Sequence, residues 1–423
     1  MMEIRPFRGI LYNKEKVKDI AQVLAPPYDV ISPEQRDRFY QLHPWNIVQI
    51  VLGKELPGDS EKENKYTRAG RLFRKWLAQG IVRKESQPAI YIYQQEYILE
   101  GKKIIRKGFF ALMRVVPFEQ RVIFPHEEIF LEPQTDRYKL LKASLANFSA
   151  VFSLYSDPTA SIDNYLKSEE SLIELIDQQG VRHKLEAIRD ENRIEKIVDL
   201  MKEKKIFIAD GHHRYMTAVK FSQDMEGKAE VSPGKNYLLM YFLNMDSGSA
   251  TILPVHRALG NLDSNQLSQI SSLLRKLFEI ETLSFSSPRE EMIQRKELMR
   301  RLGETQNNHA FGFYEGKNRY LFLTLKEGES EFHYQHSPEL LDRLLKKALR
   351  KKTLVKGQDI DYAKNTDEVI KLVKQGRYQL AFLLRPTSLE QLKEVALSGR
   401  RMPPKSTYFY PKLLSGLVMR DLK

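Results

Sequence analysis

The alternation of apolar and polar positions predicts strands and helices in mixed order along the chain. Apolar residues recur at i, i+3, i+4 and i+7 from Ile194 to Met201, which predicts a helix over 192–205 with one buried face. Further helices are predicted over 61–79, 136–147 and 288–302. Apolar runs predict strands at IYIYQQEYIL, GFFALMRVV, SAVFSLY, IFIA, YLLMYFLNM, TILPV and QLAFLL. The mixture favours an α+β (mixed α/β) fold over a regular doubly wound sheet.

Turn and capping signals separate these elements. Polar turns at 100–103 and 315–318 lie between apolar runs and predict β-hairpins. The segments 32–35 and 387–390 each pair a Ser or Thr with a Gln or Glu three residues later, which predicts a capping box at a helix start. Asp136 is expected to cap the helix predicted over 136–147.

The length of 423 residues predicts more than one compact unit. The distribution of motifs divides the chain into three expected regions. These are an α/β region over 1–158 with PPYD and HE motifs, a region over 159–260 with a DGHHR motif, and a basic α/β region over 261–423 with a KSTYFYPK motif.

Composition indicates a cytoplasmic protein with no membrane partner. The hydrophobic fraction of 42% is enough for real cores, and no apolar run approaches the ~20 residues of a membrane span. The N-terminus MMEIRPFRG lacks the apolar stretch of a secretory signal. Cysteine is absent, which excludes disulfides, thiolate ligands and thiol nucleophiles.

The net charge of +13 is concentrated near the C-terminus, where residues 339–423 hold 19 Lys and Arg against 9 Asp and Glu. Such an excess attracts nucleic acid, a phosphorylated substrate or only counter-ions. The basic residues do not alternate with aromatic ones as in a base-stacking surface. Nucleic acid is therefore not the expected partner.

The stretch IFIADGHHRYMTAVKF joins a predicted strand to a predicted helix. The first N–H groups of a helix and its positive end favour anions, above all phosphate, and Gly211 allows the backbone to approach closely. Arg214 adds a planar charged group suited to phosphate oxygens. His212 and His213 can donate to an oxyanion or move a proton, and Asp210 supplies a carboxylate for Mg²⁺ or a substrate hydroxyl.

Other motifs carry reactive side chains at predicted strand ends or in loops, where sites are normally assembled. They contribute Tyr28 and Asp29 in APPYDVIS, His126 and Glu127 in PHEE with Arg137 soon after, His256 and Arg257 in ILPVHR, and Lys405, Ser406 and Lys412 in MPPKSTYFYPK. The Lys-Ser-Thr of the last motif lacks the glycine-rich cradle of a P-loop. We expect these motifs to converge on the DGHHR turn.

Taken together, IADGHHRY, APPYDVIS, PHE with a following DR, ILPVHR and MPPKSTYFYPKLLSGLV resemble a bacterial and archaeal family known only as a domain of unknown function. The DGHHR segment alone is also similar to the strand-turn-helix signature of the ParB/sulfiredoxin-like fold, which includes an ADP-dependent free serine kinase. In those relatives the motif cradles nucleotide phosphates. The resemblance implies a ParB/sulfiredoxin-like core around this unit, with additional hairpins and helices.

These observations lead to the hypothesis of a phosphotransferase, related in its site to free serine kinases, that uses ADP or ATP, Mg²⁺ and a small hydroxyl substrate. The expected catalytic residues are Asp29, Glu127, Asp210 and His212, with Asp210 as the Mg²⁺ ligand. The expected phosphate-binding residues are Gly211, His213, Arg214, Arg257, Lys405 and Ser406. Further site candidates are Tyr28, His126, Arg137, His256 and Lys412.

Two alternatives use the same sequence features. In the first, a divalent metal held by His126, Asp210, His212 or His213, and His256 hydrolyses a phosphoester. In the second, the basic C-terminal region makes the chain a ParB-like nucleic-acid-associated module.

Overall fold

The computed structural model describes residues 1–128, 131–168, 170–227, 234–305, 309–328 and 336–423. The chain folds into two compact units. Unit 1 comprises Met1–Pro125, Ile129–Thr251 and Pro411–Lys423, and unit 2 comprises His126–Glu128 and Ile252–Tyr410. The three-region division at 158 and 260 follows motifs rather than these units and stays a prediction.

The helices include the four predicted over 61–79, 136–147, 192–205 and 288–302, with shifted bounds, and others that were not predicted. In chain order they are α1 (Pro33–Leu42), α2 (Val48–Val51), α3 (Lys65–Ala78), α4 (Leu131–Ser144), α5 (Glu191–Met201), α6 (His212–Asp224), α7 (Ser264–Leu277), α8 (Pro288–Glu304), α9 (Ser337–Leu349), α10 (Thr366–Lys374) and α11 (Leu389–Leu397). No helix in the described part of the chain has the length and apolar character needed to cross a membrane.

The strands include every apolar run named above. They are β1 (Ile4–Arg5), β2 (Ile10–Tyr12), β3 (Val82–Lys84), β4 (Ile90–Leu99), β5 (Lys102–Arg114), β6 (Ile123–Phe124), β7 (Ala146–Asn147), β8 (Val151–Tyr155), β9 (Ser171–Ile176), β10 (Arg182–Ile188), β11 (Ile206–Asp210), β12 (Tyr237–Asn244), β13 (Thr251–Leu253), β14 (His256–Leu259), β15 (Phe278–Ser284), β16 (Ala310–Tyr314), β17 (Arg319–Leu325), β18 (Ile360–Ala363), β19 (Leu380–Leu383), β20 (Tyr408–Tyr410) and β21 (Arg420–Asp421). The mixed α/β class is confirmed, and the ParB/sulfiredoxin-like core stays a prediction.

Unit 1 is built on a nine-stranded sheet with the order β6-β11-β8-β12-β5-β4-β10-β9, to which β1 adds beside β5. The sheet is mixed, because β11 runs parallel to β6 and antiparallel to β8. Its core joins sheet residues such as Phe109 and Phe242 to Ile197 of α5 and Tyr215 of α6, all of them fully buried. The helix face predicted from Ile194 to Met201 is thus the buried face of α5.

Unit 2 is built on a six-stranded sheet with the order β15-β17-β16-β19-β14-β18. One core packs Phe311 and Phe382 of the sheet with Leu274 of α7 and Leu341 of α9. A second core contains Ala381 of the sheet and residues of α8 and α10 such as Leu298 and Ile370. The buried members of both cores come entirely from residues 258–384.

The cap prediction was right at α1, shifted by one residue at α11 and wrong for Asp136. Ser32 accepts a hydrogen bond from the backbone of Gln35 and forms the predicted capping box of α1. The box at α11 uses Ser388 with Gln391 rather than residue 387 with 390. Asp136 does not cap a helix, because α4 begins at Leu131. The carboxylate instead accepts hydrogen bonds from neighbouring side chains, described below.

Candidate active site in unit 1

The DGHHR segment forms the predicted strand-turn-helix joint. Strand β11 ends at Asp210, where its pairing with β8 shifts register. Gly211 is the residue that precedes α6, and its φ of 95° lies in the left-handed region that glycine adopts without steric cost. A Cβ at this position would lie 2.8 Å from guanidinium nitrogens of Arg214. Glycine is therefore favoured by the backbone turn, and a Cβ here would displace the guanidinium of Arg214.

Asp210 lies between two cations. Its Oδ1 accepts a hydrogen bond from Lys412 Nζ at 2.5 Å, and its Oδ2 accepts one from Arg214 Nη2 at 2.7 Å. Arg214 Nη1 also donates to the carbonyl of Ala150. All three charged side chains are less than one-fifth exposed. Partial burial weakens solvent screening, so these charges fix one another firmly in place.

Lys412 reaches Asp210 because its segment is hydrogen-bonded to the sheet. Arg106 of β5 donates to the carbonyl of Pro411 at 2.5 Å, and Gln95 of β4 donates to the carbonyl of Lys412 at 3.0 Å. Arg106 and Gln95 have no exposed surface. Burial lowers the pKa of Arg106, while Tyr241, Tyr97, Tyr93 and Asp210 act in the opposite direction. The buried arginine thus fastens the C-terminal segment beside the DGHHR turn.

A second arginine is held in a similar way. Arg137 Nε donates to Asp136 Oδ2 at 2.8 Å, and Nη1 donates to the carbonyl of Val51 at 2.8 Å. Its guanidinium carbon lies 3.9 Å from the centre of the Tyr28 ring, a cation–π contact. Asp136 also accepts a hydrogen bond from the hydroxyl of Tyr66 at 2.8 Å. Each of the two arginines therefore has its own carboxylate to orient it.

The ionisation states follow from these contacts. Burial raises the pKa of Tyr28 to about 12, although Arg137 and Arg214 act in the opposite direction. Burial alone would raise the pKa of Asp136, but Arg137 and Tyr66 hold it below its usual value. At neutral pH Tyr28 is a neutral hydrogen-bond donor and Asp136 is a carboxylate.

Tyr28, Arg137 and Arg214 line one cavity of about 60 Å³. Its other polar lining comes from Asn147, Ser149 and Thr217, and its apolar lining comes from Val51, Leu140, Leu141, Ala146, Phe148 and Leu238. The lining therefore combines two arginines and hydroxyl-bearing residues with six apolar side chains. This combination suits a ligand with an anionic group attached to an apolar or planar group.

The HE motif and the first six residues of the KSTYFYPK motif meet inside unit 2. His126 Nε2 lies 2.9 Å from the hydroxyl of Thr407, and Glu127 Oε1 accepts a hydrogen bond from the backbone N–H of Lys405 at 2.8 Å. Lys405 has a φ of 61°, a left-handed conformation that is uncommon outside glycine. Ser406 is buried, and its hydroxyl donates to the carbonyl of Pro403 at 2.6 Å. Glu127 thus holds the loop that carries Lys405.

The ILPVHR motif places two fully buried side chains on β14. His256 Nδ1 accepts from the backbone N–H of Leu384 at 3.1 Å, so its Nε2 donates to the hydroxyl of Thr366 at 3.0 Å. Burial, with Arg257 beside it, lowers the pKa of His256 to about 4. His256 is therefore a neutral histidine that links elements of unit 2.

The positions of the predicted site residues can now be compared. Unit 1 brings together Tyr28, Arg137, Asp210, Gly211, Arg214 and Lys412, with Asp29 exposed beside Tyr28, and His212 and His213 in the first turn of α6. Unit 2 holds His126, Glu127, His256, Arg257, Lys405 and Ser406. Among the residues that the structure describes, no group of three His, Asp or Glu side chains is arranged to hold a metal ion. The metal site predicted from His126, Asp210, His212 or His213, and His256 stays a prediction.

A profile of the family described as "Protein of unknown function (DUF1015)" matches residues 4–352. The chain belongs to this family. The predicted membership in a family of unknown function is thus confirmed, although the KSTYFYPK motif lies beyond the matched residues. No curated protein matches the sequence.

Several solved structures have low similarity to this member of the family, including the following three. A mutant free serine kinase in complex with AMP has a TM-score of 0.38 at 11% identity, over 71% of this chain and 87% of that one. A conserved hypothetical protein from Pyrococcus furiosus has a TM-score of 0.36 at 10% identity, over 72% and 92%. SbnI with a C-terminal truncation, from Staphylococcus aureus, has a TM-score of 0.35 at 9% identity, over 72% and 85%. At these TM-scores none of the three decides the fold or the activity of this chain.

Four residues that shape the unit 1 site were not among the predicted site residues. Asp136 was predicted to cap a helix, Tyr66 lies in a predicted helix and Gln95 in a predicted strand, and Arg106 lies between the turn predicted at 100–103 and the strand predicted from Gly108. Arg106 gives no local signal of its burial, because Lys107 follows it and Lys102 and Lys103 lie just before it. Its partner, a backbone carbonyl near the C-terminus, leaves no mark in the sequence.

Proposed function

We propose that this chain is a phosphotransferase that moves a phosphoryl group between a nucleotide, ADP or ATP, and the hydroxyl of a small molecule. The observation that carries the proposal is the arrangement of Arg137 and Arg214. Both line the same cavity, and each is oriented by its own carboxylate, Asp136 and Asp210. Phosphoryl transfer requires mainly positioning and stabilisation of charge on phosphate oxygens, and fixed guanidinium groups supply both.

The start of α6 adds to this positive region. Gly211 occupies the capping position, so no side chain there accepts the first N–H groups of the helix. Lys412 Nζ lies on the other side of Asp210 at 2.5 Å. A phosphate group placed near Gly211 would meet the helix N–H groups, Arg214 and Lys412, which suits the roles expected for His212 and His213 in the first turn.

In the proposed reaction the substrate oxygen forms a bond to the terminal phosphorus of the nucleotide, and the bond from that phosphorus to its bridging oxygen breaks. The hydroxyl proton passes to a carboxylate, for which Asp29 and Asp210 are the candidates in unit 1. Carboxylate oxygens of Asp210 are of the class that Mg²⁺ prefers, and Mg²⁺ would neutralise phosphate charge when bound. Serine is the first acceptor to test, because the DGHHR segment resembles that of free serine kinases.

Arg214→Gln tests the proposal most directly. The variant should bind ADP or ATP about 10- to 100-fold more weakly than the unchanged chain in isothermal titration, since a charge-assisted hydrogen bond is lost. Arg182→Gln is the matched control, because Arg182 is exposed on β10 and pairs with Glu174. The control should bind nucleotide normally. Equal affinity in Arg214→Gln and the unchanged chain, or no nucleotide binding at all, would refute the assignment.

The transfer itself is measured by ³¹P NMR with serine and each nucleotide, with and without Mg²⁺. A phosphomonoester signal that depends on protein and is absent in Arg214→Gln would establish the activity. Binding of nucleotide without any such signal, over a panel of small hydroxyl compounds, would leave a binding protein and contradict the proposed transfer.

A further inference from the structure

Unit 2 contains a buried cation whose charge is not balanced by an ion pair. Arg257 of β14 is 2% exposed, and its one hydrogen bond among the described residues goes from Nη1 to the carbonyl of Val255 at 3.1 Å. None of the ion pairs among those residues involves Arg257. Burying a guanidinium without an anion is unfavourable unless some other group compensates for it.

The carboxylates near Arg257 are already engaged. Glu127 and Asp342 both interact with it electrostatically. Asp342, however, pairs with Lys346 at 2.7 Å, and Glu127 Oε1 accepts the backbone N–H of Lys405 at 2.8 Å. Among the described residues neither carboxylate forms an ion pair with Arg257, so the guanidinium keeps N–H donors that the oxygens of a ligand can accept from.

A second donor group lies beside this guanidinium. Tyr362 of β18 is the cross-strand partner of Arg257, and the guanidinium carbon lies 5.6 Å from the centre of its ring. Within the described part of the chain, the Tyr362 hydroxyl has no hydrogen bond. Burial raises the pKa of this hydroxyl, so it is a neutral donor at neutral pH. Lys405 also acts electrostatically on Tyr362.

The backbone at Lys405 has an unusual conformation. Its φ of 61° is left-handed, and the hydrogen bond from its N–H to Glu127 holds it there. Such conformations persist where the surrounding structure imposes them and are frequent at ligand sites. The loop therefore carries Lys405, whose backbone N–H is held by Glu127, close enough to Tyr362 to act on it electrostatically.

We propose that unit 2 binds the anionic group of a small molecule, a phosphate or a carboxylate, through Arg257, the hydroxyl of Tyr362 and Lys405. This site lies wholly within unit 2, and its proposal does not depend on the phosphotransferase activity proposed for unit 1. A planar guanidinium and a hydroxyl recognise either kind of oxyanion, so the two sources are separated by experiment.

The test measures the thermal midpoint of the full chain in chloride buffer of constant ionic strength, titrated with inorganic phosphate or with malonate. A ligand that binds the native state raises the midpoint in a saturable way. We expect such a rise with at least one of the two anions. A rise with phosphate alone identifies a phosphate site, and a rise with malonate alone identifies a carboxylate site. No saturable rise with either anion overturns the proposal.

Two variants show whether the rise in thermal midpoint comes from anion binding at Arg257. Arg257→Met should abolish it and, without oxyanions, should leave the midpoint unchanged or higher, because an unbalanced buried charge is removed. Tyr362→Phe, which keeps the core volume, should weaken the anion about 3- to 10-fold through loss of one hydrogen bond. If Arg257→Met does not fold, Tyr362→Phe decides, and unchanged affinity there contradicts the proposal.

Arg214→Gln separates this site from the one in unit 1. The rise should persist in Arg214→Gln if the anion binds at Arg257. A rise that survives Arg257→Met and disappears in Arg214→Gln would refute the unit 2 site and leave the function proposed for unit 1 intact.

Discussion

At the residue scale, Gly211 connects backbone geometry to the proposed chemistry. Its left-handed φ of 95° allows the chain to turn from β11 into α6, and the missing side chain makes room for the guanidinium of Arg214. The end of an arginine side chain is flexible and can move away from a new Cβ. A substitution here should therefore act less by unfolding the chain than by displacing Arg214 from Asp210.

Gly211→Ala tests whether a side chain here acts on ligand binding more than on stability. The left-handed backbone should cost about 1–2 kcal/mol of unfolding free energy, and displacement of Arg214 should weaken nucleotide binding at least 10-fold. Gly180→Ala is a matched control, because Gly180 has a φ of 78° and no atom within 4 Å of the added Cβ. Urea denaturation should show similar losses of stability for both variants, while titration shows weaker binding for Gly211→Ala alone. Normal binding in Gly211→Ala would contradict the placement of phosphate at this turn.

At the scale of elements, His256 joins β14 to α10 and to the end of β19. It bonds the hydroxyl of Thr366 and accepts the N–H of Leu384. Protonation of Nδ1 would remove the acceptor for Leu384, and burial opposes the positive charge. The hydrogen bond from Leu384 to His256 therefore requires the neutral form of the imidazole.

The junction predicts a loss of stability in acid. The pKa of His256 is lowered from 6.5 in the unfolded chain to about 4 in the folded one. The pKa difference contributes fully to the free energy of unfolding above pH 6.5. That contribution, about 3 kcal/mol in all, is lost as the pH falls from 6.5 to 4. His256→Asn has no proton to gain in this range. Urea denaturation between pH 7.5 and 4 should therefore show a shallower loss for the variant, and parallel curves would show that His256 does not titrate as described.

At the scale of the molecule, the two units have separate cores. The buried members of the two core clusters of unit 2 lie between 258 and 384, whereas unit 1 combines residues from the first 251 with the segment from Pro411. In unit 1, Arg106 donates to the carbonyl of Pro411. Removal of the C-terminal segment would leave that buried guanidinium without one of its acceptors, which is costly.

Residues 252–410 expressed alone should therefore fold and unfold cooperatively by circular dichroism. The matched core variant Leu298→Ala, at a position with no exposed surface, should lower the unfolding free energy of the fragment by about 2–5 kcal/mol. The fragment lacks His126, whose carbonyl accepts the N–H of Met402. Only the loop around Met402 should therefore lose order. A fragment without a cooperative transition would show that unit 2 depends on the rest of the chain.

The predictions from sequence were most accurate where the determining interactions are local. The apolar repeat from Ile194 to Met201 did become the buried face of α5, and Ser32 did form a capping box with Gln35. The displaced caps at Asp136 and Ser388 show the limit of such signals. A polar residue near a helix start can cap it or bond elsewhere, and only the surrounding side chains decide between these choices.

The sequence by itself determined the mixed α/β class and the strand-turn-helix joint at Asp210–Arg214, because both follow from apolar periodicity and from glycine at a turn. Only the tertiary structure decided the partners of that joint. Lys412 reaches Asp210 from 202 positions away, and Arg106 fixes its segment across 305 positions. Such contacts depend on the path of the whole chain, and a charged side chain carries no local sign of which distant group will balance it.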